Sequence, residues 1–188
     1  MSKNELQKIW DCGVDLPYKD KVELLQQALI ENIEDVETNE KGKKVLYPSW
    51  TKYNHYFSDG LYVREMFCPK NYLCFTVIHN TANPLFMMKG TMWVTSEEGV
   101  EELVAPTFIF TKPGTKRICY FAEDTVCVTV HPNPDGLTDL DEIEKKMFSC
   151  DWNEYDETLK KDVWSMVKHK DYFKNKNYKK MNKINTKS

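Results

Sequence analysis

The sequence predicts a mainly β domain, a barrel or a sandwich, that carries helices at both ends. Between about residues 56 and 131, eight short apolar segments alternate with turn residues at regular spacing, and no helical period runs through them. The flanking segments instead repeat apolar residues every three or four positions. With 188 residues, 41 % of them hydrophobic and 13 % aromatic, the chain suits one domain with a proper core.

The N-terminal segment predicts a helix. Apolar residues recur at helical spacing from Val22 to Val36, and Asp20 and Glu23 have the spacing of a capping box. A helix with one apolar stripe needs a surface to cover. We therefore expect residues 1–45 to form a helical segment that packs on the barrel.

The β region, residues 46–136, contains eight candidate strands. Glycine, proline, asparagine and charged residues end each of them, as is typical of tight turns. The candidate strands are Leu61–Cys68, Tyr72–His79, Leu85–Met88, Thr91–Thr95, Val100–Val104, Thr107–Thr111, Thr115–Ala122 and Thr125–His131.

The last of these strands indicates what the barrel interior is like. Alternation places Val126, Val128 and Val130 on one face, and Cys127, Thr129 and His131 on the other. The second face is small and semi-polar, as the lining of a cup would be.

The C-terminal part predicts further helices and a basic tail. In residues 137–169 one helix follows Thr138 and Asp141, which have capping-box spacing, and another lies near Glu157–Lys168. Residues 170–188 are expected to be a tail without fixed structure. Because residues 167–188 contain eight lysines and one aspartate, this tail could also contact nucleic acid.

Composition excludes a membrane-spanning or exported protein. The longest apolar run, Tyr72–Ile78, is too short to cross a bilayer, and the first residues are polar and charged. Six cysteines occur without a C-x-x-C pair, which favours reduced, buried thiols over disulfides. The sequence therefore predicts a cytoplasmic protein.

Arginine is rare in this chain. Its 26 basic residues include only two arginines, Arg64 and Arg117, so we interpret each as retained for its planar, forked guanidinium group. Arg117 shares its strand face with Cys119 and Phe121. An ion pair of Arg117 with a carboxylate at a strand end is the alternative; the candidates are Glu65, Glu123 and Asp124.

From His79 to Arg117 the chain resembles the cupin superfamily. His79-Asn80-Thr81 stands where the first cupin motif has His-x-His, Gly90 is the glycine of that motif, and Pro113-Gly114 opens the second. The resemblance covers less than half of the chain. It implies a cupin-like double-stranded β-helix barrel with N- and C-terminal helices, and barrels that pair into a homo-oligomer.

The metal ligands of the superfamily are not preserved. Cupin metal sites need three histidines and a glutamate, but Thr81 replaces the second histidine, Arg117 replaces the third, and no carboxylate lies between Thr81 and Gly90. A cation at a ligand position would repel a metal ion. We therefore expect no metal, no other cofactor and no catalytic residue.

The predicted ligand site is rich in donors and positive charge. Arginine and lysine recognise phosphate or carboxylate, histidine shares that charge or hydrogen-bonds a base, and flat aromatic rings stack on nucleobases. A hydrogen-bonded core role for His79 and a turn-capping role for His131 stay open. The candidate ligand-binding residues are His79, Thr81, Trp93, Lys116, Arg117, Tyr120 and His131.

Segments such as TKPGTKR also resemble small cupin-like proteins encoded by bacteriophages. The prediction is a non-enzymatic phage protein that sequesters a small anionic ligand of nucleotide type, such as a cyclic oligonucleotide signal of antiphage defence. Two alternatives remain. One is a cupin enzyme, either a metal-dependent oxygenase or a sugar-nucleotide isomerase, and the other is a structural or assembly protein of the virion.

Overall fold

The computed structural model describes residues 2–11, 15–32, 37–38, 44–45 and 51–160. The predicted basic tail and most of the predicted helix at Glu157–Lys168 lie outside these residues, as does Cys12. In the described part of the chain, no helix is long and apolar enough to cross a bilayer.

The described helices flank the β region on both sides. They are α1 (Lys3–Trp10), α2 (Tyr18–Asn32), α3 (Leu140–Met147) and α4 (Trp152–Lys160). The strands are β1 (Glu37–Thr38), β2 (Lys44–Val45), β3 (Lys52–Ser58), β4 (Gly60–Cys68), β5 (Tyr72–Phe75), β6 (Ile78–His79), β7 (Asn83–Lys89), β8 (Thr91–Ser96), β9 (Gly99–Val104), β10 (Thr107–Thr111), β11 (Ile118–Phe121), β12 (Thr125–Asn133) and β13 (Phe148–Ser149).

Two antiparallel sheets form the body of the molecule. One has the strand order β10-β7-β12-β4-β3 and the other β5-β11-β8-β9. The pairs are nested: β8 with β9, then β7 with β10, β5 with β11 and β4 with β12, alternating between the sheets. This nesting is the winding of a double-stranded β-helix. The predicted mainly β fold with flanking helices is confirmed.

Strand β12 lies between β4 and β7 in the five-stranded sheet, and its side chains alternate as predicted. Every odd position from Thr125 to Asn133 is buried, whereas Val126, Val128 and Val130 on the other face are half-buried. Because side chains point alternately to the two faces, the sheet presents one row to the interior and one row outward.

Gly90 makes the tight turn between β7 and β8 possible. Its backbone has φ +90°, a left-handed conformation that favours glycine. A Cβ atom there would lie 2.5 Å from the Thr125 hydroxyl oxygen and 2.7 Å from the Asp124 carbonyl oxygen. The glycine of the cupin-like motif therefore allows β12 to approach this turn closely.

The N-terminal helices cover the outer face of the four-stranded sheet. Leu6, Trp10 and Val22 are buried there, in one cluster with Ile118 and Tyr120 of β11. A hydrogen bond also links α2 to the sheet, because the Tyr18 hydroxyl of α2 donates to the Lys116 carbonyl oxygen at 2.9 Å. Burial of the apolar stripe and bonds of this kind hold the helices on the barrel.

Helix α3 closes one end of the barrel. Its residues Ile143 and Met147 are buried with Tyr62 and Phe148, and β13 pairs directly with β6, where Phe148 lies opposite His79. Asp139 caps the helix, because its carboxylate accepts a hydrogen bond from the Glu142 backbone N–H. The N-cap is therefore Asp139 and not Thr138.

Several element boundaries differ from the sequence predictions. Asp20 lies inside the first turn of α2 and does not precede it, so it is not the predicted cap. The predicted strand Tyr72–His79 is interrupted at Thr76, whose hydroxyl accepts a hydrogen bond from the Arg117 backbone N–H. The Thr76 N–H still donates to the Arg117 carbonyl oxygen at 2.9 Å, but the second bond of this pair goes to the side chain, and the segment divides here into β5 and β6.

Candidate functional site

A cavity of about 650 Å³ lies between the two sheets. Its size falls within the range of roughly 300–1,000 Å³ that is usual for small-molecule sites. Inward-facing side chains of both sheets line it, together with exposed residues of α3 such as Leu140 and Glu144. The cavity therefore reaches the surface beside α3.

Three strands and the residue before a fourth contribute polar side chains near this opening. They are Arg64 of β4, Thr129 of β12, Thr111 of β10, and Arg117, which immediately precedes β11. Thr129 lies opposite Arg64 in the strand register, and the Arg117 guanidinium reaches Thr111. The end of the cavity beside α3 is therefore its polar end.

Two residues farther along each of these strands, the lining becomes apolar. Met66 follows Arg64 on β4, Cys127 lies two residues before Thr129, and Ile109 two residues before Thr111. In the same way Cys119 follows Arg117. The residues around this end of the cavity belong to one buried hydrophobic cluster. Its members include Cys68, Met92, Val94, Cys119, Phe121 and Cys127.

Arg117 points into the cavity. Its Nη1 donates a hydrogen bond to the Thr111 hydroxyl at 3.1 Å, and its backbone N–H donates to the Thr76 hydroxyl at 2.9 Å. The side chain is half-buried. The first bond holds the guanidinium at the cavity wall, the second holds the backbone, and the other guanidinium N–H groups are left to face the cavity.

Arg64 lies against two aromatic rings at the same end. Its guanidinium carbon is 4.7 Å from the centre of the Phe148 ring and 5.7 Å from that of Tyr53, which are cation–π distances. Its Nε is buried and has no hydrogen-bond partner in the protein. The two rings hold the group in place without using its N–H donors.

The carboxylates considered as partners of Arg117 are engaged elsewhere. Glu65 accepts hydrogen bonds from the side chains of Asn54 and Tyr56, Glu123 accepts from Thr91, and Asp124 accepts from the Lys70 backbone N–H; the distances are 2.9, 3.1, 2.8 and 2.9 Å. The predicted alternative of an ion pair is therefore not observed. Among the residues that the structure describes, no carboxylate forms an ion pair with Arg117 or Arg64.

Two histidines stack beside the arginines. The rings of His79 and His131 are nearly parallel, with centroids 5.8 Å apart. Burial, with the charges of Arg64 and Arg117, lowers the pKa of His79 to about 3. Burial also holds the pKa of His131 well below its usual range. Both imidazoles are therefore neutral at pH 7.

This arrangement does not fit the metal site that the cupin resemblance suggests. His79 lines the cavity and His131 lies directly behind it, with its Nε2 3.1 Å from the Thr129 hydroxyl. Within the described ranges, no three histidine, cysteine or acidic side chains come together as a metal site would need. The guanidinium groups of Arg64 and Arg117 also disfavour a cation there.

Of the seven predicted site residues, only His79 and Arg117 line the cavity. Thr81 is buried just after β6, and its hydroxyl has no hydrogen-bond partner in the protein. His131 is completely buried behind His79, so it supports the cavity wall without forming its surface. The remaining three residues lie on the other face of the four-stranded sheet.

Alternation along the chain explains why those three residues are absent from the cavity. Arg117 and Cys119 point inward, so Lys116 and Tyr120 point outward beneath the helices. Tyr120 stacks on Trp93 at 5.1 Å, and Lys116 Nζ donates to the Cys150 carbonyl oxygen at 3.4 Å. These contacts belong to the helix-covered core, not to the predicted cup.

The prediction missed Arg64 and the aromatic rings of β3 and β4. Arg64 carries the same signal as Arg117, since it is the other arginine of a lysine-rich chain. Tyr53 and His55 alternate along β3, and a period of two marks them as one face of a strand. His55 Nδ1 lies 2.8 Å from the hydroxyl of Tyr62, which also lines the cavity.

Comparison with known proteins identifies similar structures only. No protein-family model and no curated protein matches the chain. A protein with a double-stranded β-helix domain from Klebsiella pneumoniae is 13 % identical, with a TM-score of 0.41, over 50 % of this chain and 86 % of its own. A cupin-2 domain protein from Shewanella frigidimarina is 11 % identical, with a TM-score of 0.39, over 46 % of this chain and 84 % of its own.

An acetylacetone dioxygenase from Acinetobacter johnsonii is also similar. It is 16 % identical, with a TM-score of 0.39, over 56 % of this chain and 82 % of its own. The assignment of the fold rests on the strand order given above.

Proposed function

We propose that the protein binds a small organic anion in the barrel cavity and does not transform it. One observation carries the proposal: the only two arginines of the chain line the same cavity, and neither forms an ion pair with a carboxylate in the described residues. A guanidinium group removed from water without a counter-charge is costly. An anion in the cavity would offset that cost.

The groups around the arginines suit an acidic group. A guanidinium donates two parallel hydrogen bonds to a carboxylate or a phosphate. Arg64 and Arg117 would supply these donors, and the hydroxyls of Thr111, Thr129 and Tyr62 add polar atoms to the same end of the cavity. Asp141, Glu144 and Lys145 of α3 line the opening with a formal charge of −1, so the positive charge of the site comes from the two arginines inside.

The acid–base properties of the cavity favour binding over catalysis. A histidine with a pKa near 3, as His79 has, holds no proton to donate at pH 7 and is a weak base. Burial raises the pKa of the Cys68 thiol to about 12 and raises that of Cys127 further, so neither forms a thiolate nucleophile readily. The buried Cys119 thiol differs, because its hydrogen bond with Cys74 lowers its pKa, and recovery of the ligand intact tests against a reaction at this thiol.

A nucleotide-type ligand, as the sequence predicts for a phage protein that counters host defence, is one candidate within this proposal. The phosphates of a cyclic di- or trinucleotide would pair with the arginines. A metal-dependent enzyme is the competing function, and stoichiometric iron, manganese or zinc in the purified protein would support it. A virion protein would instead be found at high copy in purified particles.

Titration calorimetry against phosphate, carboxylates and cyclic di- and trinucleotides tests the proposal. We expect Arg64→Gln and Arg117→Gln each to weaken binding about 10- to 100-fold, because each removes a charged hydrogen-bond donor. Lys112→Gln is the matched control, since Lys112 is exposed outside the cavity and should leave affinity unchanged. The ligand should be recovered intact after denaturation of the complex.

Two results would contradict the proposal. One is an absence of binding to every anion in the panel. The other is chemical conversion of the bound ligand by the wild-type protein.

A further inference from the structure

We infer that the anion bound in this cavity carries an apolar body, an alkyl chain or a ring, attached to one acidic group. The inference rests on the proposed function and narrows its ligand class. It follows from the division of the cavity into a polar end beside α3 and an apolar end between the sheets.

The change from polar to apolar runs in the same direction on neighbouring strands. On β4 the inward residues are Arg64, Met66 and Cys68 in that order, and on the antiparallel β12 Thr129 faces Arg64 and Cys127 faces Met66. Because β12 is paired along its length with β4, the lining of both strands changes from polar to apolar at the same depth. A ligand that fits the cavity therefore has its polar group above that depth and its apolar part below it.

The opposite sheet repeats the same order. From Arg117 the inward residues continue to Cys119 and Phe121, while β8 contributes Met92 and Val94. Cys119 lies opposite Val94 in the strand register, and Phe121 lies opposite Met92. The two sheets thus enclose one apolar space, and the arginines lie at one end of it.

The depth of this space sets the size of the apolar body. Arg64 and Cys68 are four residues apart on one strand, which corresponds to about 13 Å. A chain of several carbon atoms, or a phenyl ring on a short linker, spans that distance from an acidic group held at Arg64.

The apolar end offers few hydrogen-bond partners. Its polar side-chain atoms are the hydroxyls of Thr51, Tyr53 and Tyr72 and the cysteine thiols, of which the thiols are weak donors and acceptors. The ribose hydroxyls and base edges of a nucleotide would lose water there without equivalent partners, and each such loss costs binding energy. The lining therefore favours an apolar acid over a nucleotide.

The first test is calorimetry of the full chain with acetate, butanoate, hexanoate and octanoate, with phenylpropanoate, inorganic phosphate and cyclic dinucleotides beside them. We expect affinity to increase about fourfold for each added methylene until the chain fills the cavity. Anions that bind without dependence on chain length, or a cyclic dinucleotide that binds tightest, would overturn this inference and leave the proposed function standing. Failure of every anion to bind would overturn both.

A pair of matched variants provides the second test. Met66 lines the apolar end, whereas Met88 points outward and is 62 % exposed. Met66→Gln should weaken octanoate binding about tenfold or more and leave acetate binding unchanged, because only octanoate reaches this depth. Met88→Gln should change neither. Equal effects of Met66→Gln on both acids would contradict the inference.

A readout on the wild-type protein avoids dependence on the folding of Met66→Gln. Met66 and Met92 line the apolar end, whereas Met88 is exposed on the outer face, so octanoate should shift the NMR signals of the Met66 and Met92 methyl groups and leave that of Met88 unchanged. Acetate at equal occupancy should shift the two lining methyl groups much less. Unchanged Met66 and Met92 signals with octanoate bound would show that the chain lies elsewhere.

Discussion

Two neutral histidines and two charged arginines lie together at the polar end of the cavity, and this grouping makes the native state sensitive to acid. His79 has an ordinary pKa of 6.5 in the unfolded chain and a pKa of about 3 in the native protein. Between those values the unfolded chain binds a proton that the native protein does not. The free energy of unfolding therefore decreases as the pH is lowered from 6.5 towards 3, and is unaffected by this group above 6.5.

We expect His79 alone to account for a loss of about 2 kcal/mol between pH 7 and pH 5. The variant His79→Gln has no titrating group at this position, so its stability should change correspondingly less over the same range. Urea unfolding at the two pH values measures the difference.

The control for this prediction is His55→Gln. His55 also lines the cavity and its pKa is lowered by burial and by Arg64, but it is partly exposed to solvent, unlike His79. Its replacement should leave most of the pH dependence in place. If His79→Gln kept the full pH dependence of the wild-type protein, His79 would not be the neutral, buried group that the structure shows.

Among the elements, helix α1 has a specific role beside the edge strand β9. The side-chain oxygen of Gln7 accepts a hydrogen bond from the Val100 backbone N–H at 2.9 Å, and Leu6 is buried beneath the helix. Exposed edge strands can pair with other chains, and covering them prevents this. Helix α1 thus completes the four-stranded sheet on one side.

Replacing Gln7 with alanine should lower the free energy of unfolding by about 1–2 kcal/mol, because the Val100 N–H loses its partner. Gln27→Ala is the matched control. Gln27 is exposed on α2 and bonds only to Glu31 of the same helix, so its loss should cost less than about 0.5 kcal/mol. Thermal or urea unfolding of both variants checks the prediction; equal losses would mean that Gln7 does not tie α1 to β9.

The observed strands and helices show which sequence signals were sufficient to predict an element and its ends. Segments such as Thr91–Thr95 and Thr107–Thr111 were predicted within one residue, because turn residues bound them on both sides. Strand β3 was missed because polar residues interrupt its alternation, whereas α1 lies within residues 1–45, which were expected to be helical. The Tyr72–His79 segment is interrupted where Thr76 contacts Arg117, 41 residues away along the chain, and no local pattern reveals that contact.

For the whole molecule, the outer face of the five-stranded sheet is apolar and exposed. Phe86 and Met88 of β7, Phe108 and Phe110 of β10, and Phe67 of β4 all point outward, and Phe86 and Phe108 contact each other at 6.0 Å between centroids. Exposed apolar faces of this kind commonly form protein contacts. A closed homo-oligomer, as the cupin resemblance implies, would bury this face against its copy.

We expect light scattering after gel filtration to give a multiple of the 22.2 kDa chain mass. Phe86→Glu should shift the protein to the monomer, because Phe86 lies between Phe108 and Val128 in the strand register and a buried carboxylate there is costly. Leu24→Glu, on the exposed side of α2, should leave the mass unchanged. A monomeric wild-type protein would remove the expectation of an oligomer.

The fold was more predictable than the site. Turn spacing and the Pro113-Gly114 motif predict a barrel, and the nested strand order confirms that class of fold. Which residues meet inside it depends on strand register and on which face each residue takes. Alternation from Arg117 was enough to exclude Lys116 and Tyr120, but the pairing that brings Arg64 to the same cavity requires the whole sheet.

Strand β4 shows how little tolerance this architecture has for insertions and deletions. Its even-numbered residues Arg64 and Met66 face the cavity, and its odd-numbered residues Glu65 and Phe67 face outward. A slip of one position would exchange the two sets and put a carboxylate where the guanidinium was. Length variants of this protein should therefore be confined to its turns, since the loss of a single codon before Arg64 would cancel the positive charge of the interior.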